Sequence, residues 1–367
     1  MGLFVYLLSL GAGQALPFLI GIGLGIALYH AAFGFTGAYR RALLEKDISG
    51  VSAQMVMLAA AMLLFAPVLA QGSVFGRPVS GALAPVSLSM AFGAFIFGIG
   101  MQVGGACASG SLFTAGGGNL RILLVLVFFC VGTFWGSLDL QWWRQLPGIG
   151  SVSLGREFGW GAAMVVQLGA LALIYLVLRM LGGRNKRSLW WEEGFRWQYL
   201  LRGPWPLLLG AAMLALLNWA TLLVAGHAWS ITWGLSLWAA KAAALTGWDP
   251  ATSAFWSNGL PRAALARPLL ADSVSVMNFG ILLGALTASS LAGKVAPTFR
   301  MSLPSLVAAV LGGLLLGYGA RLAYGCNIGA FFSGIASTSL HGGVWIVCAI
   351  AGNAIGVRFR PLFRPGD

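Results

Sequence analysis

Stretches of about 20 residues with almost no charged side chain recur along the whole chain. A soluble chain of 367 residues cannot enclose that many apolar helices, so the bilayer is the solvent. Apolar residues make up 59% and charged residues 8%, against roughly 45–50% and about 25% in a soluble domain. Crossings are predicted near 17–34, 51–70, 85–103, 120–138, 158–180, 204–224, 273–292, 304–322 and 340–357. The 53 glycines suit close helix approach and interrupted helices. The predicted class is an all-α polytopic membrane protein with about nine transmembrane helices. Met1–Leu16 has no charged leader region, so no signal peptide is expected.

The net charge of +13 would suggest nucleic acid in a soluble chain. Here the cations lie mostly between spans and report sidedness, and no nucleic-acid partner is expected. The connection 179–202 holds Arg179, Arg184, Lys186, Arg187, Arg196 and Arg202 against Glu192 and Glu193, which assigns it to the cytoplasm. Counting crossings from there puts Arg40, Arg41 and Lys46, and also Arg358, Arg360 and Arg364, on the same side. The N-terminus is then periplasmic and the C-terminus cytoplasmic.

One crossing, 158–180, separates two four-crossing halves, so equivalent spans run in opposite directions. This predicts an inverted repeat: 1–157 as the first unit, 158–203 as the connecting helix and basic loop, 204–367 as the second unit. Segments 34–40, 104–118, 226–241 and 324–337 are too polar or Gly-rich to span, yet too apolar for ordinary loops. Such backbone is tolerated at membrane depth only where protein covers it or a cavity meets it. They are expected to dip inward, the first pair from the cytoplasm and the second from outside, forming an hourglass.

Within that frame, Gly98-x-Gly100-x6-Cys107-x2-Gly110 matches Gly317-x-Gly319-x6-Cys326-x2-Gly329 at a constant offset of 219, the difference between 326 and 107. Both cysteines are placed near the waist. Gly104, Gly105 and Ala106 precede one, and Gly325 and Asn327 flank the other. Glycine lets backbone approach a ligand closely, half-helix N-termini attract anions, and a thiol adds a weak donor and a polarizable sulfur. A small anion with a terminal sulfur, such as thiosulfate, suits that combination. Gly34 and Thr36 in the first short segment and Lys241 at the end of the third complete the candidate binding set.

Cys130 and Cys348 lie mid-span and read as small hydrophobes. No Cys or His spacing supports zinc or haem, so neither a metal nor a cofactor is expected. Asp272, Arg321 and Lys241 are each costly in a bilayer, about 2.5–3.5 kcal/mol at its centre, and are read either as functional or as paired and snorkelling at helix ends. His341 is expected to bond locally, and the tryptophans to belong to interfacial belts. The short segments hold no acidic residue, so no proton or sodium relay is visible.

Gly317-Tyr-Gly-Ala-Arg-Leu-Ala-Tyr-Gly-Cys-Asn-Ile-Gly-Ala-Phe-Phe-Ser-Gly-Ile-Ala, with Ser339-Leu-His-Gly after it, resembles the C-terminal signature of the YeeE/YedE sulfur-transport family. Asp272-Ser-Val-Ser-Val-Met-Asn-Phe-Gly280, Trp229-Ser-Ile-Thr-Trp233 and Leu237-Trp-Ala-Ala-Lys241 are similar to stretches of its longer members. The resemblance implies a bacterial inner-membrane protein with dipping loops that takes up thiosulfate, with Cys107 and Cys326 as the cysteines that hand the ion along. It also implies a YedE-like branch linked to selenium, and a cytoplasmic sulfur-carrier protein as a partner beside the anion and the bilayer. The family's thiosulfate transporters carry a further cysteine where this chain reads Phe33-Gly34-Phe35-Thr36-Gly37. The leading expectation is a transporter or channel for a sulfur- or selenium-containing anion, not an enzyme. A membrane sulfur relay through cysteine persulfides and a general small-anion channel are the alternatives; the relay lacks a His or Lys base beside either cysteine.

Overall fold

A computed structural model describes Leu7 and residues 12–192, 194–295, 297 and 301–363. The leader segment and Arg364 of the C-terminal basic cluster thus fall wholly or partly outside the described residues. Long helices form wherever the chain is apolar, because a helix bonds its own backbone groups where no water can. They are α1 Ala12–His30, α3 Ser49–Gln71, α4 Leu88–Gly104, α6 Leu120–Leu138, α7 Trp160–Met180, α8 Leu207–Ala225, α10 Ser273–Leu291, α11 Leu303–Leu322 and α13 Leu340–Phe363. Four short helical segments stand between them: α2 Phe35–Glu45, α5 Ala108–Gly116, α9 Thr232–Leu245, and α12, a π-helical stretch Asn327–Phe332 continued by Ser333–Ala336. Among the described residues nine helical segments are long and apolar enough to cross a membrane, and each coincides with a predicted crossing. The protein is a polytopic, helical membrane protein.

Helix starts follow local side chains. Ser87, Asn119, Asp272 and Ser302 each accept a backbone N–H of the first turn they precede, at Met90, Ile122, Ser275 and Ser305. Two small antiparallel ribbons, Ser73–Val74 with Arg77–Pro78 and Pro85–Ser87 with Gly148–Ser151, close one end of the bundle. They were not expected from the sequence.

The halves interleave. Helix α4 lies against α13 and α11 against α6; α1 lies against α10 and α8 against α3; α4 also meets α11, and α1 meets α8. Glycine sets the depth of these crossings, as it does where lipid offers no hydrophobic drive and packing must be close. A side chain at Gly98 would strike the carbonyl of Ala349, and one at Gly352 the carbonyl of Phe95. In the other pair, Gly317 faces the carbonyl of Phe129 and Gly132 that of Leu314. Gly98, Gly100, Gly317 and Gly319 of the duplicated motif are therefore packing positions. Helix α7 stands outside this interlock, with 6% of its apolar window buried, and presents its sides to lipid.

At one end the bundle carries α2, α5 and the 180–202 connection; at the other it carries α9, α12 and residues 246–272. Asp47 ties the first end together. It accepts from the Ser49 hydroxyl and N–H, from the Lys186 N–H and from Arg187 Nε at 3.2 Å, with Arg41 Nε at 3.7 Å.

Candidate functional site

The short helices α5 and α12 come into contact inside the bundle. Each begins at a cysteine. Cys107 is the N-cap of α5, at φ −103° and ψ −172°, and its Sγ accepts the Gly110 N–H at 3.4 Å. Cys326 is the N-cap of α12, at φ −106° and ψ −165°, and its Sγ accepts the Ile328 N–H at 3.4 Å. Sulfur here does the work that Ser or Asp does at most helix starts. Both thiols are buried, at 1% and 0% exposure, so whatever reaches them comes through the protein and not from bulk water. They are close enough to interact electrostatically, and Cys107 with the Tyr39 hydroxyl likewise.

The turns that deliver the thiols differ in one detail. Gly105 takes the left-handed conformation (φ 83°) in the first, and its counterpart at the same offset is Tyr324 (φ 59°) in the second. Gly325, at φ 155°, then stands where the first turn has Ala106. Gly104, the last residue of α4, abuts Gly312 of α11. The end of α4 is held by arginines the sequence reading had not placed there. Arg121 Nη1 donates to the Gly104 carbonyl at 3.0 Å and Arg360 Nη1 to that of Gln102 at 3.3 Å, cations at a helix C-terminus where the dipole favours them.

Buried polar atoms without partners occur on the segments that carry the cysteines and elsewhere in the bundle. Asn327 Nδ2 donates to the Tyr39 hydroxyl at 3.4 Å, while Asn327 Oδ1 is buried without a partner, as are Ser111 Oγ, Thr36 Oγ1 and Ser236 Oγ. Buried polar atoms are nearly always bonded; Ser111 lies in the first turn after Cys107 and Asn327 directly follows Cys326, so these two open atoms are what a polar guest beside the thiols would satisfy. The dipping helices are tethered from behind. Gln102 Nε2 donates to Asn353 Oδ1 at 2.6 Å and to the Thr36 carbonyl at 3.2 Å. Asn218 accepts the Trp229 N–H at 2.8 Å and donates to Ser333 Oγ at 3.2 Å.

The remaining predicted residues separate. Gly34 caps α2 and lines a cavity of about 10 Å³ with Gln54, Arg41 and Arg187, the room of one water molecule. Lys241 is drawn away from the thiols: its ammonium donates to the carbonyls of Leu265 and Arg267, at 2.7 and 2.6 Å, and fixes the segment after Gly259–Ala266. Asp272 caps α10 and accepts Trp233 Nε1 at 2.9 Å. His341 bonds locally to Ser339 at 2.6 Å, as expected. Cys130 and Cys348 are half-buried at the edge of the core.

Nine crossing-length helices among the described residues around two buried thiol caps fit the class of polytopic membrane transport proteins. The chain matches the profile of the sulphur transport family over residues 30–355, and it belongs to that family, one of transporters and not of enzymes. It is 27% identical over 351 residues to the thiosulfate transporter TsuA of Spirochaeta thermophila, covering 91% of this chain and 95% of that protein. It is also 27% identical over 181 residues to the probable transporter YedE of Escherichia coli, covering 48% of this chain and 42% of that one. A shorter match, 40% over 91 residues, joins it to YedE of Salmonella typhimurium, 24% of this chain and 23% of the relative.

Proposed function

We propose that this protein carries thiosulfate, or a closely related sulfur or selenium anion, across the bacterial inner membrane by way of Cys107 and Cys326. The observation that carries this is the contact between two cysteine-capped helices, with the unpartnered Ser111 Oγ and Asn327 Oδ1 on them. The naming of a relative matched along 91% of the chain as a thiosulfate transporter supports the substrate. At each cap, backbone N–H groups favour negative charge, while the thiol offers a soft partner to a terminal sulfur. The anion passes from one cap to the other; the caps keep their places.

An inverted repeat underlies the pathway. The packing pairs are those a two-fold axis in the membrane plane would exchange: α4–α13 with α11–α6 and α1–α10 with α8–α3, the axis passing between α4 and α11 and between α1 and α8. The units are 1–157 and 204–367, joined by 158–203, and the dipping segments form the hourglass. The end bearing Arg40, Arg41, Lys46, Arg184, Lys186, Arg187 and Arg358 is cytoplasmic by its basic excess, which places the N-terminus in the periplasm. A sulfur-carrier protein would receive the ion on the cytoplasmic side.

Growth of a sulfur-auxotrophic host on single sulfur sources, with and without this protein, tests the substrate. Growth on thiosulfate alone is expected. Equal rescue by sulfate would replace sulfur recognition with a general small-anion channel, and no rescue by any sulfur anion would remove the reading.

A further inference from the structure

Arg321 lies in the last turn of α11, five residues before Cys326. Its Cβ is wedged beside Gly136 of α6, and its guanidinium carbon stands 4.1 Å from the centre of the Phe255 ring. Nε is buried without an acceptor. The ion pairs among the described residues are both made by Asp47, at the opposite end of the bundle. Of the acidic groups at this end, Asp139 bonds the Tyr318 hydroxyl, Asp249 the Ala251 N–H and Asp272 Trp233 and Ser275, while Glu157 is exposed on the segment Leu154–Phe158 and makes no ion pair with Arg321. What lies within electrostatic range is a second cation, Arg144, and the Tyr324 phenol.

Arg321 is half-buried with its Nε enclosed, and a cation held this way with no counter-charge beside it is a cost to the fold. The ring of Phe255 covers one face of the guanidinium. It cannot use the N–H groups, which radiate in the plane of the fork and need acceptors. A planar fork with its edge free matches two oxygens of one anion side by side. The other half of the protein shows the contrast. At the matching offset stands Gln102, which is neutral and donates to Asn353 and to the Thr36 carbonyl. The two units are alike in their cysteine caps and differ here by a positive charge.

We infer that Arg321 is an oxyanion-binding station at the α12 end of the bundle, holding the oxygen end of the transported anion ahead of Cys326. The station rests on the transport reading for its substrate, but the arginine defines it independently. Because it reads oxygen and charge, it takes sulfate as well as thiosulfate; discrimination falls to the thiols. At the Cys107 end the arginines near the cap, Arg121 and Arg360, donate to the Gly104 and Gln102 carbonyls, whereas Arg321 keeps its Nε open, so anions collect on the side that the thinner basic set marks as periplasmic.

Purified full-length protein titrated with sodium sulfate and sodium thiosulfate tests this, alongside uptake into proteoliposomes. Arg321→Gln, which copies the other half, is expected to weaken binding of both anions by about tenfold or more. It should also raise the KM for uptake by a similar factor while leaving the maximal rate near that of the parent. Arg321→Lys should recover part of the affinity, and Cys326→Ser should leave sulfate binding unchanged. Unaltered binding and KM in a folded Arg321→Gln protein would overturn the station and leave the transport reading standing. Anion binding that needs Arg321, in a protein that moves no thiosulfate, would do the reverse. Should Arg321→Gln not fold, sulfate protection of Arg321 from phenylglyoxal in the parent protein, read by mass spectrometry, decides it: protection supports the station and none overturns it.

Discussion

Cys107 and Cys326 occupy the same structural position twice, each capping a short helix through a 3.4 Å contact from a backbone N–H to sulfur, with backbone angles that agree within a few degrees. A cap role and a ligand role can be separated by substitution. Serine is a preferred N-cap, so Cys107→Ser and Cys326→Ser should fold as the parent does. Each should lower thiosulfate uptake by about tenfold or more, since the polarizable sulfur is lost. Alanine removes the cap as well and should cost about 1 kcal/mol in stability. Cys130→Ala and Cys348→Ala should keep most uptake. Initial uptake rates with expression-matched protein check all of them, and equal loss in every variant would point to general destabilisation.

The glycine crossings give a stability prediction without reference to the ligand. A side chain at Gly317 meets the Phe129 carbonyl and lies 2.6 Å from Thr133 N, and one at Gly98 meets the Ala349 carbonyl and lies 2.9 Å from Asn353 N. Backbone on both sides cannot yield, so Gly98→Val and Gly317→Val should each destabilise by about 3 kcal/mol or more. Gly161→Val, with nothing within 4 Å, should be tolerated. Melting in detergent, followed by the loss of monodisperse protein, measures the contrast.

Most of the architecture was legible because apolar length is a direct statement about depth. Where the sequence reading slipped, it slipped at ends and at roles. The first crossing was drawn to residue 34, but the helix stops at His30 and the chain reverses through Ala32 at φ 45°. Ala31–Gly34 is as apolar as the helix before it, so hydropathy carries no sign of the reversal. The duplicated glycines were visible as a pattern, but a pattern does not distinguish close packing from close ligand approach. Tyr39, Gln102 and Asn218 were invisible as site residues, since a lone polar group in a span acquires meaning only from its partner. Those partners lie far along the chain: Asn327 for Tyr39, Asn353 for Gln102, Ser333 for Asn218. Lys241 likewise has partners that a sequence does not name, carbonyl acceptors 24 and 26 residues on.

Asp47 sets a pH dependence at the junction of α2, α3 and the 180–202 connection. Burial alone would raise its carboxyl, but bonds from Ser49 and Lys186 and the nearby Arg187 outweigh that and hold it below the usual carboxylate range. A group whose folded-state pKa is depressed adds stability above its unfolded pKa, about 3.9, and loses it as pH falls through the lower folded value. Stability from this source should therefore be flat from about pH 5 to 8 and decline below about pH 4. Asp47→Asn should remove that decline and destabilise by about 1–3 kcal/mol at neutral pH, because Arg41 and Arg187 lose their anion. Melting curves of both proteins across that range provide the check.

The orientation of the units is the last expectation, and it bears on every statement about which mouth is which. The end formed by α2, α5 and the 180–202 connection carries Arg40, Arg41, Lys46, Arg121, Arg184, Lys186, Arg187, Arg358 and Arg360. The other end carries Arg77, Arg144, Arg156, Lys241, Arg262, Arg267 and Arg321, a thinner set. Cationic loops are retained in the cytoplasm during insertion. Reporter fusions at Lys186 and at Phe363 should both report the cytoplasm, and a fusion at Trp248 the periplasm. If Lys186 and Phe363 were to lie on opposite faces, an odd number of crossings would separate them. The two units would no longer be antiparallel, and Cys107 and Cys326 would not face each other from opposite membrane surfaces. If all three sites reported the reverse, the repeat would survive, but Arg321 would guard an exit instead of an entrance.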